Sequence, residues 1–424
     1  MKKLLVLGGA TAQVPLIRAA KEAGLYVVLC DWTTTNPGIP IADKHYQVST
    51  LDLKAVLEVA KLEKVDGVIS NSEPAMHNVA VVAEQLGLVG NSPLAVDILD
   101  SKYRFRELQR KCGVFFPKSS EVENEKQLSE SLRNLQFPII VKPSENSGSR
   151  GITVAFQNNL KEIMPIFEEC RNFSRNGKVT VEEYIKMPSL YNVGGDIFVH
   201  HGKIIWDGLA TCIRTEVAPM VPTGKMWPIC ESEQHIQTIK SALEKLIQKS
   251  GIIHGAYNIE GYFTDADDFF VIEINTRQGG NDIPQLIEEY CGIDMYKLLV
   301  TTAVGNDEYF EQVVANEFTK SKKYITNYIV FSSKDTIYKG IEIDGSIRSM
   351  VYKVIECKQL GEKIRHKKDA TDAVAMIRMS FDTQAQQLMF LQNADHLIKL
   401  NGGGGATKQF NVVRCIPPFV QRAA

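Results

Sequence analysis

The stretch that decides the fold is Phe269-Phe270-Val271-Ile272-Glu273-Ile274-Asn275-Thr276-Arg277. Side chains alternate between the two faces of a strand. Glu273, Asn275 and Arg277 therefore share one face, while Ile272 and Ile274 turn to the other. A carboxylate, an amide oxygen and a guanidinium on one face suit a hard cation lying beside a polyanion: Mg²⁺ takes oxygen ligands, and arginine offers fixed donors for phosphoryl oxygens. The competing reading is an edge strand with solvated polar residues. The preceding strand, Ala256–Phe263, is joined to this one by the acidic turn Asp265-Ala266-Asp267-Asp268, short enough for the two to pair. It places Glu260 on the polar face, where two carboxylates on neighbouring strands repel unless a cation lies between them. That cation is either a metal ion or a surface lysine.

Upstream, Pro138-Ile139-Ile140-Val141-Lys142-Pro143 is an apolar strand ending in a lysine, followed by the loop Ser147-Gly148-Ser149-Arg150-Gly151. Such a loop offers backbone N–H groups to phosphate and the freedom to close over it. It is not a P-loop, because the Gly-Lys-Ser/Thr order is missing; the plain alternative is a hairpin turn. Val179-Thr180-Val181-Glu182-Glu183-Tyr184-Ile185 reads as a further strand with paired carboxylates. The first hundred residues alternate strands at Lys3–Leu7, Tyr26–Cys30 and Gly67–Ser70 with helices at Val14–Ala23, Leu53–Leu62 and Val79–Leu86, which predicts a parallel sheet covered on both faces. Beyond the site strands, Ile197–His200 and Lys203–Gly208 read as a hairpin, Ile236–Lys249 and Pro284–Tyr290 as helices, and Tyr324–Phe331, Gly345–Val354 and Ala375–Phe381 as strands before a helix at Gln384–Ala394. Asn401-Gly402-Gly403-Gly404-Gly405 begins a Gly-rich linker and tail, in which Gln409–Cys415 is a further strand candidate.

The chain has 424 residues, enough for two or three domains, with 48 Lys+Arg against 50 Asp+Glu. A net charge of -2 argues against a dedicated nucleic-acid binder, and no apolar run approaches a membrane span. The apolar run Leu4–Leu7 is cut by Gly8-Gly9 and followed by a helix, so it reads as a core strand and not a secretion signal. The eight cysteines form no CxxC pair or zinc cluster, and read as reduced thiols of a cytoplasmic protein.

Four motifs in this order, "FPIIVKPSENSGSRGITV", "VTVEEYI", "YNIEGYF" and "FFVIEINTRQGGNDIP", together with the N-terminal domain and the helix opening at Asp100-Ser101-Lys102, resemble the ATP-grasp superfamily over residues 1 to about 400. The resemblance implies a parallel α/β domain over 1–100, a two-lobed ATP-grasp fold with its small lobe over 101–186 and its large lobe over 187–310, a C-terminal extension over 311–400 packed on the large lobe, and a tail over 401–424. It implies that Lys142 and Lys102 contact ATP phosphates, and that Ser147, Gly148, Ser149, Arg150 and Gly151 form the phosphate lid. Glu182, Glu183, Tyr184 and Ile185 would hold adenine, largely through backbone groups. Glu260, Glu273 and Asn275 would ligate Mg²⁺ or Mn²⁺, and Arg277, with Lys142, would serve catalysis at the transferring phosphoryl group. The implied reaction joins a small-molecule carboxylate to an amine with release of ADP and phosphate; the implied assembly is a homodimer, without nucleic acid or membrane. Lys186–Tyr191 departs from the family pattern, carrying no carboxylate where many relatives have one for the ribose.

Other readings are weaker. "LVLGGATAQ" with Asp31 invites a dinucleotide site but lacks G-x-G-x-x-G. Within the superfamily a bicarbonate-activating carboxylase or carbamoyl-phosphate-type enzyme is the rival, and a non-catalytic ATP-binding module the alternative of a different class. For the acceptor site the candidates are Ser72-Glu73, Arg214 with the Pro-rich loop Thr215–Trp227, and Gly279-Gly280-Asn281-Asp282 at a helix start. The His200-His201 pair is a candidate base in a hairpin turn.

Overall fold

The computed structural model describes residues 1–146, 151–215, 220–315 and 324–401. Ser147, Gly148, Ser149 and Arg150 of the expected phosphate lid, and the tail after Asn401 with its strand candidate, lie outside the described residues.

At the N-terminus, Lys3–Leu7 runs parallel to Tyr26–Asp31 and to Gly67–Ile69, with Lys44–Gln47 parallel at the edge. The strands are apolar almost throughout because helices cover both faces. Val14–Glu22 packs on one face and Leu53–Glu63 and Met76–Leu86 on the other, each presenting an apolar stripe. The helix Val14–Glu22 also packs against Met295–Ala303 of the large sheet's cover, so one core runs from Leu4 and Val6 to Leu298 and Val300.

A small antiparallel sheet joins Ser119–Val122, Val179–Glu183, Ile139–Pro143 and Thr153–Ala155 in that spatial order, with a core of its own under Leu160–Phe173. The helix Glu125–Leu132, not anticipated from the sequence, closes it; Asn124 caps its start by accepting from Gln127 N.

The largest sheet places Phe269–Asn275 at one edge, then His254–Phe263, Tyr191–His200, Leu209–Ile213, Gly224–Trp227, Tyr324–Val330, Ala375–Phe381 and Val351–Glu356. Two expectations change here. Part of the segment read as a loop, Gly224–Trp227, is a central strand paired on both sides. Gly345–Val354 is not one strand: Gly345–Met350 is a 3₁₀ turn, started by Asp344 accepting from Ser346 N, and the strand begins at Val351. The strands between 324 and 381 continue the large sheet through Gly224–Trp227.

Candidate functional site

The two carboxylate strands pair as their spacing predicts. Glu260 lies directly opposite Glu273 and Asn258 opposite Asn275, with a bulge between Glu260 and Gly261. Asn258, Glu260, Glu273, Asn275 and Arg277 line one cavity of about 230 Å³, which is closed on other sides by Lys102, Glu73 and Lys225. The two carboxylates are held separately. Asn275 Nδ2 donates to Glu273 Oε1 at 2.9 Å. Arg214, almost fully buried, donates to Glu260 Oε2 at 2.8 Å. Burial pushes the Glu260 carboxyl up, but Arg214 and Lys225 outweigh it and hold it below the usual range. The set thus presents carboxylate and amide oxygens to one space, the donor chemistry a hard divalent cation takes.

Lys102 enters the same cavity from the start of the helix Lys102–Cys112, where Ser101 caps by accepting from Arg104 N. Its Nζ donates to the Asn146 carbonyl at 3.1 Å. Burial lowers its pKa, while Glu273 and Glu73 pull it back up. Lys142 is engaged differently. Its ammonium pairs with Glu182, whose other contacts are to Arg106 Nε at 3.0 Å and Nη2 at 3.4 Å. All three side chains are buried. Burial pushes Glu182 up, but Arg106 and Lys142 together hold its carboxyl at about 2. Arg106 also donates to the Ile272 carbonyl at 3.0 Å and lies over the Phe270 ring at 4.8 Å, tying the small lobe to the strand that carries Glu273.

The other residues expected to hold adenine use their polar groups within the protein. Glu183 accepts from Gln136 N at 3.0 Å, Tyr184 N donates to the Pro138 carbonyl at 2.9 Å, and the Ile185 carbonyl accepts from Tyr262 Oη at 2.7 Å. Gly151, the one described residue of the expected lid, has φ of 70° and its carbonyl accepts from Cys170 Sγ. Arg277 donates to Glu73 Oε2 at 3.2 Å and to the Gln278 carbonyl at 3.0 Å. Arg175 lies 3.9 Å from Glu73 and 3.8 Å from Asp100. Burial and the nearby Glu73 raise Asp100 to about 7.

The structure brings Glu73 and Gly280-Asn281 to the cavity but not the histidine pair. His200 and His201 both bond Asp307, at 2.9 and 3.0 Å, and His200 faces His254. Gly279 N is already used, donating to both Asp196 oxygens at 3.1 and 2.9 Å. The candidate segment Thr215–Trp227 also reaches the cavity, through Val221, Pro222, Gly224 and Lys225. Sequence reasoning missed Arg106, Arg175 and Asn327; none sits in a recognisable motif, and each reaches the site through contacts distant in sequence.

Residues 101–308 match the family model of the carbamoyl-phosphate synthase L chain, ATP binding domain. The carbamoyl phosphate synthase large chain of Vibrio cholerae is 23% identical over 320 residues, covering 72% of this chain and 29% of that protein. The chain therefore spans under a third of the length of that curated relative. Its fold is similar to the L-amino acid ligase of Bacillus licheniformis (TM-score 0.75, 19% identity, 94% of this chain and 98% of that one). It is also similar to the biotin carboxylase domain of Hydrogenobacter thermophilus 2-oxoglutarate carboxylase, solved with MgADP and bicarbonate (TM-score 0.68, 17% identity, 94% and 90%). With the domain match over residues 101–308, the parallel N-terminal sheet and the antiparallel sheets in agreement, the chain has an ATP-grasp fold.

Proposed function

We propose that the protein is an ATP-dependent ligase that joins a small-molecule carboxylate to an amine. The observation that carries this reading is the convergence of Glu260, Glu273, Asn275, Lys102 and Arg277 on one cavity. A carboxylate is a poor electrophile. Its oxygen attacks the γ-phosphorus of ATP, the bond to the β,γ-bridging oxygen breaks, and ADP leaves with the electron pair. The amine then attacks the acyl carbon, loses a proton, and phosphate departs. Positioning and charge neutralisation dominate such chemistry, so the site needs cations and fixed donors.

Glu260, Glu273 and Asn275 would hold Mg²⁺, which when bound neutralises phosphate charge. Lys102 supplies an ammonium on the side facing Glu273, and Arg277, fixed by Glu73, supplies a preset guanidinium. Lys142, paired with Glu182 beside Arg106, would stand behind the phosphates next to Pro143, which lines the cavity. We also place the protein in the cytoplasm; every described cysteine is a free thiol.

The test is ADP release with a panel of acids, with hydroxylamine standing in for the amine so that an activated acid is trapped as its hydroxamate. A hydroxamate formed in step with ADP is expected. ADP release with bicarbonate alone would replace this reading by the carboxylase, and nucleotide binding without turnover on any acid would replace it by a binding module. Glu273→Gln and Arg277→Ala are each expected to lower turnover about 100-fold or more with thermal unfolding unchanged; near-normal ADP formation in either variant would remove that residue from the site.

A further inference from the structure

Further along the same sheet from the carboxylate strands lies a wall of the cavity that the ligase chemistry does not explain. Lys225 and Asn327 are direct cross-strand partners, so their side chains stand on the same face of the sheet. Both line the cavity. The Lys225 Nζ and the Asn327 Oδ1 are buried, and neither has a hydrogen-bond partner among the described residues. Asn327 Nδ2 is committed to the Asn281 carbonyl at 3.4 Å, which fixes the amide so that its oxygen is the unsatisfied atom. A buried unpaired cation and a buried unpaired acceptor are each costly, so such atoms mark where a ligand belongs.

The Lys225 side chain reaches over its neighbouring strand towards the reacting end. A Cβ built on Gly194, two strands away, would lie 2.6 Å from Nζ and 3.2 Å from Cys212 Cβ. Gly194 thus leaves room for the ammonium. From there Lys225 contributes to holding Glu260 ionised. Two and four residues past Asn327, Ile329 and Phe331 join Val221, four residues before Lys225, in a small apolar cluster that borders the cavity.

We propose that this wall binds an amino acid with an apolar side chain, and that its carboxylate is the one activated. The carboxylate sits on Lys225 beside Glu260, the ammonium donates to Asn327 Oδ1, and the side chain lies on Val221, Ile329 and Phe331. The chemistry of the three groups matches one molecule: an anion for the cation, an N–H for the acceptor, hydrocarbon for the apolar shelf. This assignment rests on the ligase reading above and names its acid.

The test measures binding of L-leucine, L-methionine and L-phenylalanine by calorimetry in the presence of Mg²⁺ and a non-hydrolysable ATP analogue, alongside the hydroxamate assay. Saturable binding and the matching aminoacyl hydroxamate are expected. Leucinamide, lacking the carboxylate, and 4-methylpentanoate, lacking the ammonium, are expected to bind at least tenfold more weakly. Lys225→Met is expected to raise the KM for the amino acid at least tenfold while leaving the KM for ATP within twofold. Gly194→Ala keeps the lysine but displaces its ammonium, and is expected to reproduce that split. Phe331→Ala is expected to reduce the preference for leucine over glycine. A rise in the ATP KM with the amino-acid KM unchanged would overturn the assignment by placing Lys225 on phosphate. Hydroxamates formed only from acids without an amino group would overturn it while leaving the ligase reading standing. Absence of nucleotide binding would sink both.

Discussion

At the scale of single residues, charge burial organises the site. Arg106 is buried and serves Glu182, Gln109 and the Ile272 carbonyl at once. Removing it leaves Glu182 with Lys142 alone and strands a carboxylate in the interior. Arg106→Met is therefore expected to destabilise the protein by about 3 kcal/mol, read as a lower denaturant midpoint. A variant as stable as the parent would show that the triad relaxes into solvent. Asp100 gives a pH signature. Its carboxyl titrates near 7 in the fold because burial and Glu73 disfavour its charge, against 3.8 ordinarily. A raised acid pKa contributes stability below the ordinary value, and that contribution is lost as pH rises through 7. Asp100→Asn removes the loss, so its stability relative to wild type should climb between pH 5 and pH 8 by on the order of 2 kcal/mol. A difference that stays flat with pH would mean that Arg175 and Thr276 fully compensate the charge. Glu273, Asn275, Arg277 and Glu260 could be read from sequence because strand alternation and a short turn fix their side. Arg106 could not, because a helix position alone does not say which distant carboxylate a cation meets.

At the scale of elements, close backbone approach fixes what the motifs leave open. Gly195 has φ of 96°, and a Cβ there would lie 2.1 Å from the Gly208 carbonyl oxygen. The same strand carries Asp196, which accepts from Gly279 N and from Nδ2 of the cavity-lining Asn258. Gly195→Ala meets both a disfavoured φ and a backbone clash that no side-chain rotation relieves. It is expected to cost about 3 kcal/mol or more, whereas Gly202→Ala, with φ of 74° but open space, should cost about 1 kcal/mol. Equal melting temperatures for the two variants would show that the approach at Gly208 is slack. Local signals also mark where reading from sequence fails. Gly224–Trp227 follows Pro222 and is only four residues long, too short for alternation to show; its strand character comes from partners at Thr211–Ile213 and Ile325–Tyr328. Gly345–Met350 looked extended, but Asp344 caps it locally and the sheet begins only at Val351.

At the scale of the whole molecule, the packed cores around the site differ in how far they extend. The core that includes Leu4, Val6 and Ile17 runs without a break into Ile283, Leu298 and Val300, so the N-terminal sheet and the helices under the large sheet are one packed body. Gly67 belongs to that seam, where a Cβ would lie 2.4 Å from the Ala303 carbonyl oxygen. The small lobe is different: Ile139, Val141, Phe167 and Val181 pack among themselves in a separate cluster. Polar contacts join it to the rest, chiefly Arg106 to Glu182 and to Ile272, Tyr262 to Ile185, and Arg175 to Glu73 and Asp100. That linkage was not legible in the motifs, which place Lys142 and Glu273 in one site without saying which of them belongs to which packed body. A body held by its own core and a few polar ties opens at lower free energy than one continuous with the main core. Hydrogen exchange should therefore show Ile139–Pro143 and Val179–Glu183 exchanging faster than Lys3–Leu7 and His254–Phe263. A magnesium complex of a non-hydrolysable ATP analogue, bound as proposed in the cavity that Lys102, the carboxylate strands and Pro143 line, should slow exchange in the small lobe at least several-fold and leave Lys3–Leu7 unchanged. Ligand binds the closed arrangement and opposes its opening, so the slowing should scale with ligand concentration. Protection confined to Lys3–Leu7 and Met295–Ala303 would instead place the nucleotide at the N-terminal seam and remove it from the cavity between the lobes.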